Sequence, residues 1–234
     1  VTEPDRREEL AARLAKVRQR MAKACEAAGR DLSELTLIAV TKTRPASDVR
    51  LLSELGVKDI GENRDAEAAP KAAQCADLDV TWHFIGQLQT NKAASVVRYA
   101  SVVHSVDRLR LIRALGKVAR REGRLVECLI EVSLDGDPAR GGAVAGEVPA
   151  LAEALAAEDG LVLGGVMAIA PLSMEPADAF GRLLVSAAAV RAVRPAAGII
   201  SAGMSSDLEA AVEAGATHLR IGTALLGDRG PRVR

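Results

Sequence analysis

Eight short apolar runs, each followed by an alanine- and leucine-rich segment of helical spacing, take up most of the 234-residue chain. The runs are 35–40, 57–60, 80–85, 102–106, 126–132, 162–169, 198–202 and 218–221. Strands alternating with helices pair in parallel, and eight such units predict a closed (β/α)8 TIM barrel. An open doubly wound sheet is the runner-up. Ahead of the first run, Leu10, Leu14, Val17, Met21, Cys25 and Ala28 recur at steps of three and four, which predicts an amphipathic helix closed by Gly29. No glycine- or proline-rich linker interrupts the chain. One domain is therefore expected over 1–234, with an N-terminal helix at 1–29 and the barrel at 35–227.

In such barrels chemistry collects at the carboxyl ends of the strands. The first run, "LIAV", ends in Thr41 and Lys42, and Pro45 stops it soon after. The second runs into Gly61, Glu62 and Asn63; the third carries His83; the eighth carries Arg220. "SAGMSSDLEAA" sets Gly203, Met204, Ser205 and Ser206 before a helix, and "RIGTALLG" does the same with Gly222 and Thr223. Small residues admit a ligand close to the backbone, and the N–H groups of a helix start favour an anion. Loops after strands seven and eight are the usual phosphate grip of this fold. Plain turn chemistry at two strand–helix junctions is the alternative. Ser206 with Glu209 reads as a capping box for the helix that follows.

Lys42 has two readings. Its stem can be buried while its head reaches water. At a barrel mouth facing a phosphate cup, partial desolvation and nearby cations favour the neutral amine, which attacks aldehydes. An aldehyde that also carries phosphate points to pyridoxal 5'-phosphate or to the substrate of a sugar-phosphate aldolase. Arg220, inward-facing beside the cup, suits the pyridine nitrogen of the first. An arginine keeps its proton and donates without protonating the ring, which leaves a poor electron sink.

Bulk properties remove other classes. Lys plus Arg (31) equals Asp plus Glu (31), so no net charge draws the chain to nucleic acid or an anionic membrane. Aromatic residues are 2 % of the chain, too few for a stacking platform on single strands. No apolar run reaches membrane-spanning length, and "VTEPDRREEL" is not a signal peptide, which makes a cytoplasmic protein the expectation. Cys25, Cys75 and Cys128 lack metal-ligand spacing and read as packing residues.

"AVTKTRP", "IGEN", "WHFIGQLQTNK", "GVMAIAP" and "SAGMSSDLEAAVEAGATHLRIGTALLG" together resemble the pyridoxal phosphate homeostasis proteins, relatives of the amino-terminal barrel of alanine racemase. The resemblance runs from about Leu10 to Gly227 with the motifs in order. It implies pyridoxal phosphate held as an internal aldimine on Lys42. It further implies phosphate against Ser201, Gly203, Met204, Ser205, Gly222 and Thr223, Arg220 facing the ring nitrogen, and Asn63 near the lysine. Departures from the family pattern are Arg64 after "GEN", Ala202, and Arg140 where a lysine is usual.

Carrier and enzyme then have to be separated. A racemase of the alanine type needs a second base opposite the lysine, a tyrosine in that family. The single tyrosine here, Tyr99, precedes the fourth run and is expected at the far rim. His83 is the substitute base, although buried strand histidines are commonly hydrogen-bonded core residues. His104 and His218 belong to strands four and eight, and Trp82 is expected to pack outward on the helices. The reading is a monomeric cofactor-binding regulator that passes pyridoxal phosphate transiently to apo-enzymes. The alternatives are a low-activity amino-acid racemase and a phosphate-sugar aldolase.

Overall fold

The structure, a computed structural model, describes residues 3–137 and 140–227. After α1 (Glu3–Ala28) the chain alternates through β1 (Thr36–Val40), α2 (Ala46–Glu54), β2 (Asp59–Glu62), α3 (Asp65–Gln74), β3 (Thr81–Phe84) and α4 (Ala93–Tyr99). It continues with β4 (Val102–Val106), α5 (Leu109–Arg121), β5 (Val126–Glu131), α6 (Val148–Ala156), β6 (Leu161–Met167) and α7 (Pro176–Val193). Last come β7 (Ile199–Ser201), α8 (Leu208–Glu213), β8 (His218–Ile221) and the single turn α9 (Thr223–Leu226). Every strand pair is parallel, and β8 returns to β1 with Thr36 opposite His218 and Ala39 opposite Ile221. The closed eight-stranded barrel with an added first helix is the expected fold.

Parallel strands sheathed by helices bury both faces, which is why they read as unbroken apolar runs. β4 is buried at all five positions. The outward faces join the helices in one large core that includes Leu52, Ile60, Phe84, Val103, Leu115 and Leu183. Val102, Leu129 and Met167, with Ile199 against them, form a separate small cluster, the apolar filling of the barrel itself. Trp82 does face outward, edge-on to Tyr99 with ring centroids 6.5 Å apart. All three cysteines are free and buried.

Strand limits depart from the sequence reading where another element claims the residue. Val57 was expected to open β2. Instead its N–H donates to Leu52 O while Gly56, at φ 80°, turns the chain, so Val57 closes α2 with an apolar contact. β2 consequently starts at Asp59 and contains Gly61 and Glu62. β6 ends at Met167, short of Ile169, because Ala168 O is taken by the Arg220 guanidinium at 2.7 Å. The capping box at Ser206 does not form: α8 begins one residue later, after Asp207, whose Oδ1 accepts from Met204 N at 2.6 Å. Glu209 pairs with Arg20 instead, with Nε–Oε1 and NH2–Oε2 distances of 2.9 Å.

Helix α1 covers the seam where the first and last β/α units meet. Leu10, Leu14, Val17, Met21 and Cys25 of the predicted stripe are buried; Ala24 joins them, and Ala28 is only half-buried. Arg6 donates to both Asp48 oxygens on α2 and to Leu226 O, and Arg20 donates to Ser205 O at 3.0 Å. Arg30, two residues past the end of the helix, donates to Val212 O and Ala216 O. One helix thus grips α2, α8 and the loops after β7 and β8.

Candidate functional site at the barrel mouth

Lys42 follows β1 on a short turn rather than on the strand. Its neighbour Thr43 has φ 64°, a conformation β-branched residues avoid. The turn is held from outside by Thr43 N donating to Glu67 Oε2 at 2.9 Å, and by Arg44 N donating back to Thr41 O at 3.0 Å. Beneath it lies a polar knot: Thr41 Oγ1 donates to Glu62 Oε1 at 2.6 Å, while Lys71 Nζ donates to the same oxygen and to Thr41 O at 2.8 Å. Thr41 and Glu62 are fully buried and Lys71 nearly so. Burial pushes the Glu62 carboxyl above its ordinary value, against the pull of Lys71 and Thr41. This pair therefore anchors the peptide that presents Lys42.

Across the mouth, the loops after β7 and β8 form one surface. Gly203 sits at φ 90°, where a Cβ would lie 2.5 Å from Ala211 Cβ and 2.9 Å from Leu219 Cδ2. Only glycine lets this loop lie so close to α8 and β8. Ala224 N donates to Ser205 Oγ at 3.3 Å, which ties the two loops together. A cavity of about 390 Å³ opens between them and β1, lined by Lys42, Asn63, Met204, Ser205, Arg220, Gly222 and Thr223, with Ile85 and Ile169 as apolar wall. That is the volume of a small-molecule site.

Seven of the nine sequence-predicted site residues meet in this cavity. Ser201 and Gly203 do not line it, and Ser201 is fully buried. Arg220 NH1 donates to Ser201 Oγ at 2.6 Å, NH2 donates to Ala168 O, and the side chain is buried while still reaching the cavity. Desolvation lowers its pKa to about 10, so the guanidinium stays charged at neutral pH. His83 is inside the barrel, bonded to His104 and Asp59, and does not line the mouth. Tyr99 ends α4 ahead of β4, at the amino-terminal rim; burial raises its phenol well above the ordinary range.

Sequence reasoning missed Lys71, Asp59 and His104 as partners, and missed Glu131. Glu131 ends β5, with Oε2 buried and without a hydrogen-bond partner among the described residues. It lines a small cavity that shares Ile169 with the main one. Burial, with Asp107 adding to it, pushes its carboxyl up to about 7. A charged residue near the end of an apolar run was the available signal, as it was for Lys42. No helix among the described residues is long and apolar enough to cross a membrane.

Residues 10–230 match the model of the alanine racemase N-terminal domain. The chain is 43 % identical over 245 residues to a pyridoxal phosphate homeostasis protein of Mycobacterium tuberculosis, covering 97 % of this chain and 95 % of that one. Among solved structures, a protein of Bifidobacterium adolescentis described as unknown superposes with a TM-score of 0.89 at 29 % identity, covering 96 % of this chain and 97 % of that one. PipY of Synechococcus elongatus PCC7942, solved with pyridoxal phosphate bound, gives a TM-score of 0.81 at 34 % identity, covering 93 % of this chain and all of that one. With the domain model matched over residues 10–230 and near-complete coverage by these relatives, the chain belongs to the pyridoxal phosphate homeostasis protein family, built on the alanine racemase N-terminal domain.

Proposed function

We propose that this protein binds pyridoxal 5'-phosphate reversibly through Lys42 and serves as a carrier that limits the free aldehyde and passes it to apo-enzymes. The observation that carries the reading is the convergence of Lys42, Arg220 and the two small-residue loops on one cavity. The residues fit the cofactor. Asn63 Oδ1, in the cavity wall, is buried without a partner among the described residues, so a donor on a ligand relieves a desolvation cost. Bound there, the cofactor contributes an aldehyde that reacts reversibly with a primary amine. Lys42 Nζ attacks the aldehyde carbon and releases water, and hydrolysis reverses the bond. Gly222 and Thr223 offer backbone to the phosphate, Met204 and Ser205 wall it on the facing loop that Gly203 lets lie close to α8 and β8, Ser201 accepts from Arg220, and Arg220 donates to the ring nitrogen without giving up its proton.

Borohydride reduction of protein incubated with pyridoxal phosphate, followed by peptide mass spectrometry, is expected to label Lys42, and Lys42→Ala is expected to lose both the label and the imine absorbance while keeping its circular dichroism. Labelling that persists elsewhere in Lys42→Ala refutes the assignment. The alternative, a low-activity amino-acid racemase, draws on Glu131, a titratable acid at the same rim with a pKa near neutrality. Sustained α-hydrogen exchange of single-enantiomer amino acids in deuterated water, lost in Glu131→Gln, would favour it over the carrier.

A further inference from the structure

Five polar side chains form an unbroken file through the barrel interior, where the fold ordinarily stacks Val, Ile and Leu. Arg220 NH1 donates to Ser201 Oγ at 2.6 Å. Ser201 Oγ lies 2.9 Å from His104 Nδ1, His104 Nε2 lies 2.9 Å from His83 Nδ1, and His83 Nε2 lies 2.9 Å from Asp59 Oδ1. Ser201, His83, His104 and Arg220 are buried; the Asp59 side chain, at the amino-terminal end of β2, is 27 % exposed. The cofactor reading uses Arg220 and leaves the other four members with no stated task beyond supporting it.

The chemistry of the ends fixes the direction of every bond. A guanidinium only donates, and a carboxylate only accepts. Complete burial, reinforced by His83 and Arg220, holds His104 well below its ordinary value, so it is neutral, with one donor and one acceptor. If His83 Nε2–H donates to Asp59, then His83 Nδ1 accepts from His104 Nε2–H. His104 Nδ1 in turn accepts the Ser201 hydroxyl proton, and Ser201 accepts from Arg220. Every member is satisfied. In the reverse order both His104 Nδ1–H and Arg220 would donate to Ser201 Oγ, leaving the buried hydroxyl proton without an acceptor among the described residues. His218, whose ring is 6.3 Å from that of His83, bonds Thr217 Oγ1 at 2.9 Å and stays outside the file.

We propose that Asp59, His83, His104 and Ser201 are positioning residues that lock the Arg220 guanidinium, so that the grip on a ligand at the mouth is set from the opposite rim of the barrel. This rests on the reading of Arg220 as the ring-nitrogen donor, and two measurements separate the two claims. The first needs no ligand: long-range proton–nitrogen correlation spectra of ¹⁵N-labelled protein at pH 7 are expected to show His83 and His104 each with a proton on Nε2 and a bare Nδ1, as the bond directions require. A proton on Nδ1 of either ring overturns the file. The second is a pyridoxal phosphate titration by absorbance. Asp59→Ala is expected to weaken binding by about threefold to tenfold, the span of one lost hydrogen bond, and Asp59→Asn, whose amide oxygen still accepts, to restore it. Borohydride labelling of Lys42 at saturating ligand is expected in both variants. Equal affinity for wild type and Asp59→Ala overturns the proposal while leaving the carrier reading intact, whereas absence of labelling in wild type overturns the carrier reading alone. If Asp59→Ala does not fold, the tautomers of the wild-type protein and the affinity of Asp59→Asn, expected unchanged, still decide.

Discussion

Replacing Lys71 with methionine removes the cation that faces a fully buried carboxylate. Lys71 Nζ gives one bond to Glu62 and one to Thr41 O, and water does not reach Glu62 to take its place. Breaking a buried pair from one side costs about 3–5 kcal/mol, because the survivor keeps its desolvation penalty. Here proton uptake sets a ceiling on that cost. Protonating a carboxyl of ordinary pKa at pH 7 requires about 3.4 kcal/mol, and the lost bond to Thr41 adds about 1 kcal/mol. Lys71→Met is therefore expected to lose about 3–4 kcal/mol, read by urea unfolding at pH 7 as a midpoint lower by about 1–2 M. In Lys71→Met/Glu62→Gln the amide oxygen still accepts from Thr41 Oγ1 and no charge is stranded, so about 2 kcal/mol should return. Because Thr41 precedes Lys42, the single variant should also label more slowly with borohydride at limiting ligand. A single variant within 1 kcal/mol of wild type, or a double variant no better than the single, would show that the pair does not anchor this turn.

Two further outcomes follow from geometry and charge. A Cβ at Gly86 would lie 2.0 Å from Asn63 O, so Gly86→Ala must push the Asn63 backbone aside; a drop in pyridoxal phosphate affinity is expected, and an unchanged titration would remove Asn63 from the site. His218, lowered to about 4 by burial and then by His83, makes stability fall on acidification from about 6.5 toward 4, since the unfolded chain binds a proton the native one refuses. Glu131, raised to about 7, works in the opposite sense: the native state keeps a proton that the unfolded chain releases above its ordinary 4.5, so stability is lost as pH rises from about 4.5 to 7. Glu131→Gln should thus raise the urea midpoint at pH 7.5 and leave it nearly unchanged at pH 4.5; equal shifts at both would refute the assignment.

The fold was legible because strands buried on both faces write themselves as apolar runs, and because the helices between them keep their own period. Limits failed where an apolar residue served a neighbour, as Val57 does in closing α2 and Ala168 in accepting from Arg220. Lys42 and Arg220 stood out as charges set against apolar sequence. The Lys71–Glu62 pair did not, since a helical lysine looks alike whether its face turns inward or outward. Nor did the Asp59–His83–His104 file: those residues come from three strands, and only the register of β2, β3 and β4 makes them neighbours. The family resemblance sets Ser201 against the phosphate, whereas its hydroxyl here bonds Arg220 and His104.

Helix α1 clasps α2, α8 and the loops that follow β7 and β8, so it is translated well before most of the elements it needs in order to settle. During synthesis its leucine stripe has no permanent seat, and the mouth has no second wall, until β8 has emerged to meet β1. Competence to take up a ligand should therefore arrive abruptly and late on the ribosome, with no half-built barrel able to sequester an aldehyde.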